Sequence, residues 1–209
     1  MSRHRWCRLG LYAGMAAPLV ALAATVIAIL AFPGFDNSTQ WLSELGGAQA
    51  RAPFIFNGGV MIAGLLAASA GLGFGLVIAA LKGSRFAAIM AAIAFVMAGA
   101  GLMISSLYPW PDPRHLWVNL GLGIQLAPLL LIWGLWKMDG VHRLRWFLIA
   151  SFIAMAVLTV ITRHLVFRGM VNETNDGLWE RAFAVVLVGW VGVAAFALER
   201  RLTVHTCDD

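Results

Sequence analysis

Six long apolar runs, separated by polar or turn-forming residues, organise this chain: residues 9–32, 54–81, 86–108, 116–136, 146–167 and 178–198. Each is close to the ~20 mostly apolar residues that a helix needs to cross the hydrocarbon core of a bilayer. The pattern predicts an all-α fold, an integral membrane bundle of six transmembrane helices forming one domain over residues 1–209. The first run follows Arg3, Arg5 and Arg8, as a secretory signal would, but it far exceeds a signal core of roughly 7–15 residues. It is expected to be an uncleaved anchor.

The connections differ in length. The longest, residues 33–53, contains Trp41-Leu42-Ser43-Glu44-Leu45, expected as a short helix on the membrane surface. Loops longer than about 12–15 residues in compact proteins often carry function. Two helix exits echo one another, Phe32-Pro33-Gly34-Phe35-Asp36 and Tyr108-Pro109-Trp110-Pro111-Asp112. In both, proline ends the helix and an aromatic ring marks the interface. The second run spaces Ala63, Ala67, Gly71, Gly75 and Ala79 four apart, a ladder of small residues that lets another helix approach closely. That face is expected to pack against a neighbouring helix and is a candidate surface for a membrane-protein partner.

Composition excludes a soluble core. The chain is 61% hydrophobic and 12% charged, whereas soluble domains are about 45–50% apolar and about 25% charged. Charge sets the expected orientation. One set of connections and ends holds ten of the 15 Lys and Arg residues, among them Lys82, Arg85, Lys137, Arg143, Arg145, Arg200 and Arg201. The other side holds Arg51, Arg114, Arg163, Arg168 and Arg181, with six of the 10 acids. The positive-inside rule puts the first side, with both termini, in the cytoplasm of a cell that keeps the chain in its inner membrane. The basic balance is a topology signal, and no nucleic-acid partner is expected. Cys7 and Cys207 both fall on that reducing side and form no C-x-x-C pair, so neither a disulfide nor a thiolate metal site is expected.

No complete catalytic motif is present: there is no G-x-S-x-G, H-E-x-x-H or P-loop. An asymmetry is the informative feature. Asn57, Ser105, Ser106, His115, Asn119, Thr159, Thr162, Arg163, His164, Glu180 and Arg181 all fall in the outer half. Charged groups within a membrane normally face the bundle interior or a watery cavity. A polar cavity open to the outside and closed below by apolar packing is therefore expected. The bare inner half disfavours a small-solute transporter, which needs a polar path through.

Each residue has a structural reading beside a functional one. Asp112 before Pro113 reads as the N-cap and N1 of the fourth helix. His115 is a candidate general base or metal ligand, or simply an interfacial hydrogen-bonding histidine. Arg163 and His164 suit a helix C-terminus on dipole grounds, and Glu180 is the expected ion-pair partner of Arg163. Glu44 reads as a solvated loop carboxylate or a binding group. His115, His164 and Glu180 form a metal set by residue type alone. Ser43, His115 and Asp112 would form a nucleophilic arrangement only if the long loop folded over the fourth helix.

Short motifs resemble the prokaryotic membrane proteins of domain-of-unknown-function family 998: Ser43-Glu44-Leu45-Gly46 with Pro53 and Asn57-Gly58, then Tyr108-Pro109 with Asp112 and His115, then Gly177-Leu178-Trp179-Glu180-Arg181. The family pattern more often has Phe-Pro where this chain has Tyr108-Pro109. The resemblance implies the six-helix layout and marks Ser43, Asn57, Asp112, His115, Glu180 and Arg181 as matched positions. It implies no substrate and no cofactor.

Three functions compete. The first is a binding or accessory membrane protein whose outer cavity holds a lipid headgroup or a partner, using Glu44, Asn57, Asn119, Arg163, His164 and Arg181. The second is an outer-leaflet lipid hydrolase or transferase with His115 or Glu180 as acid/base, Asp112 orienting and a metal optional. The third is the disfavoured transporter.

Overall fold

The computed structural model describes residues 3–116, 121–163, 165–167 and 169–207. They form six α-helices, α1 (Arg3–Leu30), α2 (Pro53–Ala80), α3 (Arg85–Leu107), α4 (Gly121–Gly134), α5 (His142–Thr162) and α6 (Asp176–Cys207). Two 3-10 turns, Leu42–Gly46 and Pro113–Leu116, sit in the connections. There is no strand among the described residues. Each helix packs on its neighbours in sequence and α6 returns to α1, so the bundle closes as a ring, with α2 also reaching α4 and α6. One end holds the starts of α1 and α3 and the finish of α6, and is called here the terminal end. The opposite end, with the connections 31–52, 108–116 and 163–175, is the loop end.

Five helices are long and apolar enough to cross a membrane, α1, α2, α3, α5 and α6. At ~1.5 Å per residue the described part of α4 spans about 21 Å, short of a ~30 Å hydrocarbon core. The expected fourth run, 116–136, begins in a 3-10 turn because Pro113 and Asp112 organise Pro113–Leu116 separately. Residues 117–120 lie outside the described ones. Both terminal helices outrun their apolar stretches. Arg8 of α1 bonds Glu199 of α6 through Nη2 at 2.6 Å, which ties the second turn of α1 to α6 about two turns before its end. Cys7, which precedes the first apolar run, is 1% exposed.

The core lies toward the terminal end. Phe74 of α2, Phe95 of α3 and Trp190 of α6 stack in tilted pairs, with ring centroids 5.1 and 5.7 Å apart. Leu11, Leu131, Leu148 and Leu198 close around them. On α6 no residue from Leu178 to Gly189 is fully buried, whereas Trp190, Val191, Ala194, Ala195 and Leu198 are. The buried residues of α5 stop at Met155. The apolar half expected from the sequence is the tightly packed one.

The small-residue ladder works within the chain. A Cβ on Gly71 would collide with Phe95, and one on Gly75 would sit 2.9 Å from the Ala88 carbonyl, so this face of α2 is taken by α3. On another face of α2, a Cβ on Gly73 would lie 2.6 Å from the Gly10 Cα, so α1 and α2 meet backbone to backbone. The area expected for a membrane partner is thus largely spent on helix packing inside the chain.

Candidate functional site

The loop end is organised by a strap, the segment between α1 and α2, laid across the start of α6. Its Leu42–Gly46 turn is the short helix expected from the sequence, and Glu44 stabilises it from within. The Glu44 carboxylate accepts from the Trp41 amide at 2.8 Å, satisfying an N–H that the turn leaves unpaired, and from Gln40 Nε2 at 2.9 Å. Glu44 therefore acts as a local cap.

Helix α6 grips the strap with its first turns. Glu180 accepts from the Leu42 amide at 2.6 Å. Arg181 donates from Nη1 to the Gln40 carbonyl at 2.8 Å and from Nε to Asn37 Oδ1 at 3.1 Å. Trp41 Nε1 donates to Asp176 at 2.9 Å. Gly177 permits the approach, since a Cβ there would stand 2.7 Å from the Gln40 carbonyl. On the other side Asn57 of α2 donates from Nδ2 to the Gly46 carbonyl at 3.0 Å, and its amide oxygen occupies the space a Cβ on Gly46 would need. At Glu180 and Arg181 the expected open cavity is thus filled by the chain's own backbone.

This overturns one expectation. Arg163 does not pair with Glu180. It caps the end of α5, exposed and without an acceptor among the described residues, while Glu180 turns to the strap. A carboxylate that can take a backbone N–H of a covering loop needs no distant guanidinium.

The second loop-end group surrounds His115. Its Nδ1 lies 2.9 Å from the Tyr108 carbonyl and 3.1 Å from that of Ser105. Carbonyls only accept, so Nδ1 carries the proton in the neutral ring and Nε2 keeps the lone pair. Ser105 Oγ donates to the His115 carbonyl at 3.1 Å, and the Trp110 ring meets the imidazole edge-on at 6.2 Å. Asp112 does not orient this ring. It binds Arg114 through both oxygens, at 2.9 and 2.7 Å, and accepts the Arg114 amide at 2.8 Å. The Arg114 guanidinium holds the Asp112 carboxyl well below the usual range, at about 2. Asp112 caps the Pro113–Leu116 turn; the described part of α4 starts further on. Arg114 also lies over the Tyr108 ring, 3.9 Å from its centroid.

Several polar residues serve their own helices. Ser106, Thr159 and Thr162 return hydrogen bonds to the carbonyls of Met103, Met155 and Leu158, the usual way a hydroxyl is satisfied in an apolar helix. Thr159 also reaches Gln125 of α4 at 3.3 Å, a polar link the sequence reading missed. Ser43 sits half-buried in the strap turn without a described hydrogen bond to its hydroxyl. Asn119 and His164 lie outside the described residues, so the proposed His115, His164 and Glu180 metal set is not assembled from described atoms. Among the described residues no cluster of three metal-ligating side chains forms. Asn37, Gln40, Trp41 and Asp176 were not anticipated. The only signal for them was their place in the long loop and at the start of the sixth apolar run.

Beyond α5 the surface changes character. Leu165, Val166 and Phe167 are 69%, 48% and 64% exposed, directly after exposed Arg163. The sequence adds His164 and Arg168 to the same stretch.

The chain matches the family model described as Protein of unknown function (DUF998) over residues 15–197. No curated protein and no solved structure matches it.

Proposed function

We propose, for a chain that belongs to the DUF998 family of proteins of unknown function, a role in binding anionic lipid headgroups at the loop-end face of the membrane. The observation that carries this reading is the Arg163–Phe167 stretch. An exposed guanidinium without an acceptor among the described residues stands beside three exposed large apolar side chains. At a bilayer surface such side chains enter the interface and bring the cation to phosphate depth, where bidentate contacts are strong. The clasp of Glu180, Arg181 and Asn57 holds the first connection at the same end of the bundle, so Arg181 is committed to the strap.

In this reading the chain crosses the membrane six times, once for each apolar run of its sequence. Its termini face the cytoplasm of the inner membrane. Ten of the 15 Lys and Arg residues at the terminal end support that orientation. The test is lipid mass spectrometry of the purified full chain. The reading expects anionic phospholipid enriched over the bulk membrane, with enrichment reduced in Arg163→Gln. A lipid profile equal to the bulk would sink it.

One observation favours a second reading, an outer-leaflet lipid hydrolase or transferase. The His115 ring is held in the tautomer that leaves Nε2 free to accept a proton. In that reading His115 is the base and Ser105 and Tyr108 position it through their carbonyls. Asp112 and Glu180 take no part, since each is committed elsewhere. Turnover of a phospholipid or acylglycerol that vanishes in His115→Gln would establish it. Equal turnover by the variant would exclude it.

A further inference from the structure

The terminal end carries a groove that the loop-end reading does not use. It lies on the lipid-facing side of the bundle between α2 and α3 and encloses about 470 Å³. Its walls are Leu72, Leu76 and Ala79 of α2 and Ile89 and Ala92 of α3, and Arg85 stands at its mouth. Its shape follows from the small residues: Gly75 and Ala88 let the two backbones approach, and no large side chain fills the trough they leave.

We propose that this groove holds one acyl chain of an anionic phospholipid in the terminal-end leaflet, with the headgroup phosphate on Arg85. Three observations converge on this occupant. The trough runs along two membrane-spanning helices, so hydrocarbon is the medium against it. Its single charged lining residue is a cation, and Arg85 makes no hydrogen bond or ion pair with the described residues. That cation sits at the end of the groove, where the helix begins and a headgroup lies when its chain points toward the bilayer centre. The chemistry complements: apolar wall for the chain, guanidinium for the phosphate. Lys82 in the preceding turn adds a second positive charge nearby. This site lies at the opposite end of the bundle from Arg163 and does not depend on the loop-end reading.

The test is native mass spectrometry of the full chain in detergent, titrated separately with phosphatidylglycerol and phosphatidylcholine. Wild type is expected to hold phosphatidylglycerol more tightly. Arg85→Gln should lose about tenfold in phosphatidylglycerol affinity, the equivalent of one charge-assisted hydrogen bond, and less in phosphatidylcholine affinity, whose phosphate is offset by its own choline cation. Ala92→Leu narrows the trough and should weaken both lipids. Lys137→Gln, at the same end of the bundle, should leave this preference in place, and the loss on Arg85→Gln should persist in an Arg163→Gln background that lacks the loop-end cation, which separates this site from the loop-end one. Circular dichroism and thermal melting confirm that each variant is folded; Arg85 is a surface side chain, so its variant carries the decision if Ala92→Leu fails to fold. The proposal is overturned if folded Arg85→Gln retains wild-type preference for phosphatidylglycerol. It is equally overturned if Ala92→Leu leaves lipid binding intact but splits a dimer, which would make a second copy of the chain the occupant.

Discussion

Glu180 at the start of the last helix accepts the backbone N–H of Leu42 in the first connection, at 2.6 Å across a separation of 138 residues. This bond and its neighbours fasten the strap, and they divide the loop-end polar residues into those that hold structure and those left available to a ligand.

Removing the acceptor should be costly. Glu180→Ala leaves a half-buried amide unpaired, with an expected loss of about 1–3 kcal/mol. Glu180→Gln keeps an accepting oxygen and should lose less. Arg163→Ala, at an exposed position, should stay within about 0.5 kcal/mol of wild type. Thermal unfolding in a single detergent compares all three. A loss in Arg163→Ala as large as in Glu180→Ala would restore the ion pair between these residues.

Gly46 and Asn57 should couple. Gly46→Ala puts a methyl group where the Asn57 amide oxygen lies, and such overpacking costs about 1–3 kcal/mol. Asn57→Ala removes the obstruction along with the bond to the Gly46 carbonyl. The double variant should therefore be more stable than the sum of the single losses predicts. Strict additivity in chemical unfolding would show that the two residues do not meet.

Asp112 should titrate at about 2, against 3.8 for an unperturbed aspartate. The folded pKa is the lower one, so its stabilising contribution is complete above 3.8 and is lost as pH falls through the folded value. Between pH 5 and 8 this pair should give no pH dependence. Arg114→Gln should return the Asp112 midpoint toward 3.8, read by carboxyl NMR. A midpoint unmoved by that substitution would mean that Arg114 is not the cause.

Gly73→Ala should loosen the first helix from the second, because the added methyl would stand 2.6 Å from the Gly10 Cα and a backbone cannot swing aside as a side chain can. A cost of about 1–3 kcal/mol is expected. A melting temperature equal to wild type would mean that the two helices do not meet backbone to backbone at Gly10 and Gly73.

Much of the architecture was readable from periodic apolar runs, since lipid as solvent permits little else than helices of spanning length. The Gly71 and Gly75 ladder was readable for the same reason, as close approach requires small side chains. The site was less readable. Glu44, Asn57, Glu180 and Arg181 stood out as polar groups in an apolar chain, but their partners are backbone atoms. A carbonyl such as that of Gln40 or Gly46 carries no mark in the sequence, because every residue has one. The expected pairing of Arg163 with Glu180 matched charges, whereas the fold matched a carboxylate to an amide.

The strap also fixes an order of events. Chains emerge from the ribosome N-terminal end first, so the first connection leaves it well before Glu180 and Arg181 exist to receive it. Its final seat is available only once the last helix has been inserted. Closure of the loop end is therefore a report that biosynthesis of the whole bundle is complete, and a chain truncated before the sixth helix keeps its first loop unfastened, exposed to proteases and quality control.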